Sequence, residues 1–516
     1  MLRHLEVARA HPAPQHEFIH SAHRYQMLAQ KLQPLNALSP SIASSADRLA
    51  NEPLAAPASP YRQLYESLLT PVPTAQAREQ SAQWLRQLIE ESKDTPCGLC
   101  DEPQDLNAWS RDNAQSVAQR YQSYLDARRA GGERQYFRNR AHALHFLAAV
   151  APTKLVDGSW LYGIALHPAS ERLRPLLQTY LEELGDGVPH KNHVTLYRQL
   201  MRRHGLQQDL ALDDVHYLQG AVQLALGWNA EQFLPEVIGF NLGYEQLPLH
   251  LLITAYELNE LGIDPYYFTL HVTVDNSDSG HAWQACEAVL KMLEVQADPE
   301  NFWKRVQAGA RLGELGRGTR EVIEAFDVRA EVVRIFERKA PAGAGMHSDY
   351  CRIGGHTVNE WLGPQGDVDA LLDALEASGW IKLGAPVTQS RFWNLLQGER
   401  AEMFGVFTPY ELQVIHDWIR GDDSRDGQDY AQPASANQTR RLPSFRALAR
   451  HRAGAHTASA TEPTLDPELS RFKERLQSLE GDARRQLLAA HLSPATHWTS
   501  TGLLATRLFI SEGWAE

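Results

Sequence analysis

A short segment near the middle of the sequence concentrates side chains that bind metals. His271, Asp275, Asp278 and His281 lie within eleven residues. On a helix turning about 100° per residue the first three fall within about 60° of one another, and His281 lies about 80° from His271. Polar groups are costly to bury unless they are paired or bound to a metal. The segment therefore predicts a metal site, and an exposed polar helix face is the alternative.

Two other segments offer ligands of the same kind. Glu245 stands in an apolar helical stretch, Glu182 and Glu183 end a predicted helix, and His190 and His193 open the next one. Each of these alone is more often a solvated or paired charge. Together they give a mixed set of oxygen and nitrogen ligands without cysteine, which suits iron or manganese better than structural zinc.

A third pattern matches a zinc-protease motif only in part. His16–His20 reads His-Glu-Phe-Ile-His and matches the HExxH helix of zinc proteases. His23 and Gln26 stand where the extended form of that motif needs glycine and histidine, and only fifteen residues precede the match. We therefore do not expect a zinc protease.

The elements that must position these ligands read as helices. From Asp101 to about Gly309 the apolar spacing is helical and is broken mainly at glycine and proline, with no alternation of strands and helices. Phe233–Leu261 should be kinked or split at its prolines, and Tyr266–Val295 reads as the last long helix of this region. The fold class is therefore all-α, a helical bundle with additional helical regions at both ends.

Changes in composition divide the chain into four predicted regions. Residues 1–110 form an N-terminal helical extension with an Ala/Ser/Pro-rich linker, and residues 111–310 form the bundle. Residues 311–420 form a helical accessory domain that packs on the bundle and shapes substrate entry or a homodimer contact. Residues 421–516 form a loop-rich segment, a charged surface helix at Asp466–Leu492 and a short tail.

Composition excludes several classes of function. The 50 basic against 63 acidic side chains give a net charge of −13, so no general basic surface exists for nucleic acid or anionic lipid. Four cysteines cannot make a disulfide framework, and neither a signal sequence nor an apolar stretch of about 18 residues is present. We expect a cytoplasmic protein with no nucleic-acid partner and no membrane segment.

The order of the ligand types resembles the haem-oxygenase-like diiron oxidases, also called the iron-containing redox enzyme family. In that family a helix ending in Glu is followed by a His that opens the next helix, a middle helix carries Tyr-Glu-x-x-Pro, and a late helix carries His-x3-Asp-x2-His. The resemblance covers roughly residues 110–300 and implies the haem oxygenase fold with two bound irons. It implies as metal ligands Glu183, His193, Glu245 as the bridging carboxylate, His271, Asp275 and His281.

Two departures from the family pattern leave alternatives open. The spacing from Glu183 to His193 is long, so Glu182 or His190 can take a ligand position. Asp278 occupies the third position of the late helix, and His281, which we favour, arrives three residues later. A ferritin-like bundle is the weaker diiron alternative because it needs paired Glu-x-x-His motifs, and the only such sequence here lies within the HExxH match.

The resemblance also implies a reaction class. It implies an oxidoreductase of the oxygenase type (EC 1.14-like) that activates O₂, the co-substrate, at two Fe²⁺/Fe³⁺ ions with an external reductant. N-oxygenation of a small amine or amino-acid-derived substrate in specialised metabolism is favoured because longer family members are associated with it. The alternatives are oxidative C–C cleavage or desaturation at the same site, and a non-catalytic, metal-stabilised scaffold.

The predicted site contains no catalytic residue beyond the metal ligands and no site for an organic cofactor. Arg138, Arg140, Lys154 and Asp157 are the candidates for binding a substrate carboxylate or amine, although such residues are more often surface charges.

Overall fold

The structure of the chain is a computed structural model that describes residues 59–167, 171–206, 212–274, 280–398, 401–421 and 466–514. Within these residues the fold is helical, and the strands β1 (Arg352–Ile353) and β2 (His356–Thr357) form one small antiparallel pair. The all-α prediction is therefore confirmed. The HExxH match at residues 16–20, and Asp275 and Asp278, lie outside the described residues.

The helices up to the end of the predicted bundle are, in chain order, α1 (Pro60–Leu68), α2 (Ala75–Glu91), α3 (Leu106–Arg129), α4 (Arg140–Ala149), α5 (Ala151–Lys154), α6 (Tyr162–Leu166), α7 (Arg174–Glu183), α8 (His193–Arg203), α9 (Leu218–Trp228), α10 (Leu234–Tyr244), α11 (Leu249–Glu260), α12 (Tyr266–Val274), α13 (His281–Leu293) and α14 (Pro299–Gly313). Short 3₁₀ turns lie at Pro103–Asp105, Ser159–Leu161, Glu171–Leu173, Gly185–Gly187 and Asp214–Tyr217.

The later helices are α15 (Thr319–Glu324), α16 (Val328–Gly343), α17 (Val358–Leu362), α18 (Val368–Ala377), α19 (Arg391–Gln397), α20 (Pro409–Arg420), α21 (Pro467–Gln477), α22 (Gly481–His491) and α23 (Ser500–Ser511), with a 3₁₀ turn at Val387–Gln389. No helix in the described part of the chain is both long and apolar enough to cross a bilayer.

Two apolar cores hold these helices together. The first core surrounds α9, which is buried on nearly all sides, and takes side chains from α1, α2, α7, α10, α13, α14 and the three C-terminal helices. The second core takes side chains from α4, α8, α11 and α12 and from α15 to α20. Helices from the predicted accessory region therefore share a core with helices from the predicted bundle. The division into four regions stays a prediction.

Helix breaks account for both the correct and the incorrect predictions of secondary structure. Phe233–Leu261 is split into α10 and α11 just before and after Pro248, as predicted. Tyr266–Val295 was predicted as one helix, but it forms α12 and α13. Asp466–Leu492 was also predicted as one surface helix, but Gly481, at a φ of 53°, separates α21 from α22. The predicted tail beyond this segment contains α23.

A buried carboxylate joins α20 to the start of α4, and its removal should destabilise the fold. Asp417 accepts hydrogen bonds from the backbone N–H of Ala141 at 2.8 Å and from the side chain of Gln413 at 2.9 Å. Replacing Asp417 with alanine leaves these buried donors without an acceptor, which should cost about 2–3 kcal/mol of unfolding free energy. Urea titration measures the loss. Asp369→Ala, which removes an exposed partner of Arg329, should cost less than about 1 kcal/mol. Equal losses would contradict this role for Asp417.

Candidate metal centre

Buried carboxylates and histidines from separate stretches of the chain meet in two groups that share one residue. Within each group the potential ligand atoms all lie within 4.8 Å of one another. The first group is Asp157, Glu183, His193 and His271, and the second is Glu183, Glu245 and His281. All six side chains are buried, and His271 has the greatest exposed fraction, at 8%.

Glu183 can occupy its shared position because of a glycine on the neighbouring turn. It is the last residue of α7, and it packs against Gly158, which follows Asp157 and adopts a φ of 78°. A Cβ atom at residue 158 would lie 2.9 Å from the Cβ of Glu183. Only glycine combines this backbone conformation with so close an approach, so Gly158 lets Asp157 and Glu183 meet.

A tight turn and a helix cap bring His193 back to Glu183 across the long sequence spacing. Gly185 begins this turn at a φ of 62°. The side chain of Asn192 then accepts a hydrogen bond from the N–H of Thr195 at 2.8 Å, which caps α8 where His193 begins it. The same side chain donates to the carbonyl of Leu184 at 3.1 Å. His193 Nδ1 consequently contacts Glu183 Oε2.

The partners of His271 fix the nitrogen that it turns toward the first group. Its Nδ1 donates to the carbonyl oxygen of Tyr267, one helical turn earlier, at 2.9 Å. Its Nε2 then presents a lone pair to Asp157 Oδ2 at 3.2 Å. A nitrogen lone pair that faces a carboxylate is repelled by it. The contact becomes favourable if the ring takes up a second proton or if a metal ion binds between the nitrogen and the carboxylate.

His281 has carboxylates at both of its ring nitrogens. Its Nε2 donates to Glu182 Oε2 at 2.9 Å. Its Nδ1 faces two carboxylates, with Glu245 Oε2 at 3.2 Å and Glu183 Oε1 at 3.4 Å. Metal-binding histidines commonly donate their second ring N–H to a carboxylate or a backbone carbonyl, and His271 and His281 both do so here.

Local charges keep the Asp157 carboxyl group ionised. Burial raises the pKa of Asp157, but the Lys154 ammonium, joined by His271 when both of its ring nitrogens are protonated, outweighs burial and holds this pKa well below its usual value. Burial likewise lowers the pKa of Lys154, but the neighbouring Tyr244, Asp157 and Glu183 raise it overall. The hydroxyl of Tyr267 also donates to Asp157 Oδ2. The carboxylate is therefore in the form that a metal ion requires.

The ligand types fit iron. Carboxylate oxygens and imidazole nitrogens without thiolates are a set that non-haem iron accepts, and one carboxylate common to two groups is what two adjacent ions need. The lone pairs of His271 and His281, which point at carboxylates, are satisfied if metal ions lie between them.

The structure brings together five of the six ligands implied by the sequence, and Asp275 lies outside the described residues. Glu182 and His190 were the alternative ligands near Glu183 and His193. Glu182 contacts Nε2 of His281, the nitrogen that does not face the second group, and His190 belongs to neither group. The sequence interpretation made Glu245 the bridging carboxylate, whereas Glu183 is the one common to both groups.

The sequence indicates Asp157 only as a candidate substrate contact, yet Asp157 belongs to the first group. It lies in a turn after the four-residue helix α5, where no helical periodicity marks it as facing the site. Its one signal in the sequence is the Asp-Gly pair at a break between apolar segments. Of the two arginines considered with it, Arg138 is exposed and Arg140 donates to the carbonyl of Leu261.

The contact between Glu182 and His281 should tune metal binding. Glu182→Ala removes the acceptor that holds the His281 proton on Nε2, so we expect iron affinity to fall about 10–100-fold. Glu182→Gln keeps an acceptor oxygen and should retain most of the affinity. Competition of each variant with a coloured chelator under anaerobic conditions measures the change. Wild-type affinity in Glu182→Ala would show that this contact does not orient the ring.

Comparison with known proteins agrees with this geometry. Residues 144–314 match the family model described as iron-containing redox enzyme, and all six residues of the two groups fall within that range. No curated protein and no solved structure matches the chain. The match supports an oxidoreductase that uses iron. The family model that matches residues 144–314 is thus that of the family which the ordered ligand types in the sequence resemble.

Proposed function

We propose that the protein binds two iron ions, one at each group with Glu183 between them, and that it uses O₂ to N-oxygenate a small amine. The observation that supports two ions is the sharing of Glu183 by two groups that otherwise contain different residues. A single structural ion would need only one of these groups.

The protein residues of this centre hold charge and exclude water. Asp157, Glu183 and Glu245 supply three buried carboxylates, whose charges two divalent ions would neutralise. The backbone carbonyl of Tyr267 orients the His271 ring through Nδ1. The Glu182 carboxylate orients the His281 ring through Nε2. When iron is bound, it supplies the one-electron chemistry that allows O₂ to react.

N-oxygenation is proposed from the resemblance to longer members of the family. In this reaction one oxygen atom of O₂ forms an N–O bond to the amine and the other leaves as water. Two electrons and two protons are also required, and we assign them to an external reductant. The substrate is therefore an amine whose nitrogen carries a lone pair when it reaches the centre.

Anaerobic reconstitution tests the iron chemistry. Metal-free protein loaded with Fe²⁺ should hold two irons per chain and should give a transient visible absorption band after mixing with O₂. His271→Ala should lose iron and the band, whereas His167→Ala, which changes an exposed histidine paired with Glu231, should keep both. Metal-dependent melting without any O₂-dependent spectrum would instead identify a structural metal site.

Product analysis tests the reaction. The iron-loaded protein is incubated with a panel of small amines and amino acids, O₂ and a chemical reductant, and the products are analysed by mass spectrometry. Gain of one oxygen on nitrogen, labelled from ¹⁸O₂, supports N-oxygenation. Products with a cleaved C–C bond or a new double bond would contradict it while leaving the iron assignment intact.

A further inference from the structure

We infer that a cavity between α8 and the starts of α21 and α23 binds a small zwitterion of the amino-acid class, at a site separate from the metal centre. The cavity has a volume of about 340 Å³, within the range of about 300–1,000 Å³ that small-molecule sites occupy. None of the residues that line it belongs to the two ligand groups. The inference therefore goes beyond the proposed function and does not depend on it.

Two arginines of α8 supply the positive charge of the cavity. Arg198 and Arg202 both line it and lie one helical turn apart, a spacing at which like charges repel each other. Neither guanidinium forms an ion pair within the described part of the chain. Burial and the Arg202 charge lower the pKa of the partly buried Arg198. A bound anion would stabilise both side chains.

Trp498 holds the Arg198 side chain in an orientation that suits an anion. The Arg198 Cζ atom lies 3.8 Å from the centroid of the Trp498 ring. Stacking of this kind covers one face of the planar guanidinium and leaves the N–H groups at its edge able to bind a carboxylate. Ser500 and Thr501, which open α23, line the same cavity, and the first turn of this helix contains no acidic residue. Their backbone N–H groups have no partner within the helix and add donors for an anion.

Two carboxylates at the start of α21 supply the negative charge of the cavity. Asp466 accepts a hydrogen bond from the backbone N–H of Leu469 at 3.0 Å and so caps α21, whereas Glu468 is exposed. No ion pair joins either carboxylate to Arg198 or Arg202. The cavity is therefore lined by two positive and two negative side chains that do not neutralise each other by direct contact.

This balance of charges favours a molecule that carries both signs. A carboxylate would bind the two arginines and an ammonium would bind Asp466 and Glu468, so that each charge of the ligand meets its opposite. A phosphate dianion would bring a second negative charge toward the two carboxylates, and a simple amine would be repelled by the arginines. A small amino acid carries one charge of each sign on neighbouring groups and avoids both penalties.

Calorimetry on full-length, iron(II)-loaded protein without O₂ tests the inference, with norleucine as the zwitterionic probe. Hexanoate is norleucine without the ammonium group, and pentylamine is norleucine without the carboxylate, so each comparison isolates one charge. In the wild type norleucine should bind at least about tenfold more tightly than either analogue.

Variants assign this binding to the cavity. Arg198→Met should weaken norleucine binding at least about tenfold. Glu468→Gln should weaken it by about two- to fivefold, because this carboxylate is exposed, and should not weaken the binding of hexanoate. Arg78→Met and Glu474→Gln, which change exposed residues that do not line the cavity, are the matched controls and should bind norleucine as the wild type does.

The outcomes separate this inference from the proposed function. Norleucine that binds the wild type no more tightly than its two analogues, or that binds Arg198→Met with unchanged affinity, overturns the inference. Binding that survives in Arg198→Met but is lost in His271→Ala would place the zwitterion at the metal centre instead. If Arg198→Met does not fold, Arg202→Met, at an exposed position, replaces it, and unchanged affinity in that variant overturns the inference equally. A wild type without iron would contradict the proposed function and leave this test readable, because no residue that lines the cavity belongs to the two groups.

Discussion

Glu183→Ala is expected to remove both irons from the protein, whereas His281→Ala is expected to remove one. Glu183 has a ligand atom in each of the two groups, while His281 contributes to the second group alone. Losing the shared carboxylate leaves the first group with Asp157 and two histidines and the second with Glu245 and His281. Each ion would then keep too few anionic ligands. Iron per chain, measured after anaerobic loading and desalting, checks the result.

Glu245→Ala is the matched control because it removes a carboxylate that belongs to one group. It should lose one iron. If Glu245→Ala lost both irons and Glu183→Ala lost one, the bridge would be Glu245, as the sequence interpretation gave it. Glu183→Ala also removes the contacts with His193 and His281 and leaves a cavity, so metal-free Glu183→Ala should melt below metal-free wild type. The near-isosteric Glu183→Gln checks this point.

The residue types and their order along the chain were enough to predict the matching family model and five of the six residues that meet in the two groups. His271 and His281 are separated by few residues, and Glu183 and His193 flank a helix break, so local patterns expose them. Helix ends were similarly predictable where proline or glycine marks them, as at Pro248. The match over residues 144–314 confirms the family inferred from this order.

The sharing of Glu183 could not be read from the sequence because it depends on contacts between distant segments. It requires Gly158 to accept the Glu183 side chain at van der Waals distance, and it requires α13 to place His281 on the opposite side of that carboxylate. Asp157 was missed for the same reason. Periodicity reports which face of one helix is buried, but it does not report which turns meet.

The C-terminal helices show a second limit of pattern analysis. Asp466–Leu492 is rich in charge and reads as a surface helix, yet Phe472 and Leu488 lie in the first core. The next segment contributes His497, which is buried and whose Nδ1 accepts a hydrogen bond from Asn192 at 3.0 Å. Asn192 caps the helix that His193 begins. A segment far outside the family match therefore contacts the residues that position a predicted ligand.

A fragment ending near residue 310, close to the end of the family match, should consequently be insoluble or inactive even though it retains every residue of the two groups. Truncation there exposes the partners of Phe336, Trp418 and Phe509, which are buried in the two cores. Each such aromatic side chain contributes about 3–5 kcal/mol when truncated to alanine, and the three together are comparable with the whole 5–15 kcal/mol by which domains are usually stable. The soluble fraction after expression and the iron content after loading measure the effect.

Point variants in the full-length protein test whether the residues beyond 310 contribute through core packing. Ile415→Ala, in the second core, should lower the unfolding free energy by about 2–5 kcal/mol, while Glu468→Ala, at an exposed position in α21, should change it by less than about 0.5 kcal/mol. Both full-length variants should still bind two irons under native conditions, because neither residue contacts the two groups. A soluble, fully active fragment with two irons that ended near residue 310 would refute this account, since the residues beyond it would then be dispensable for the centre.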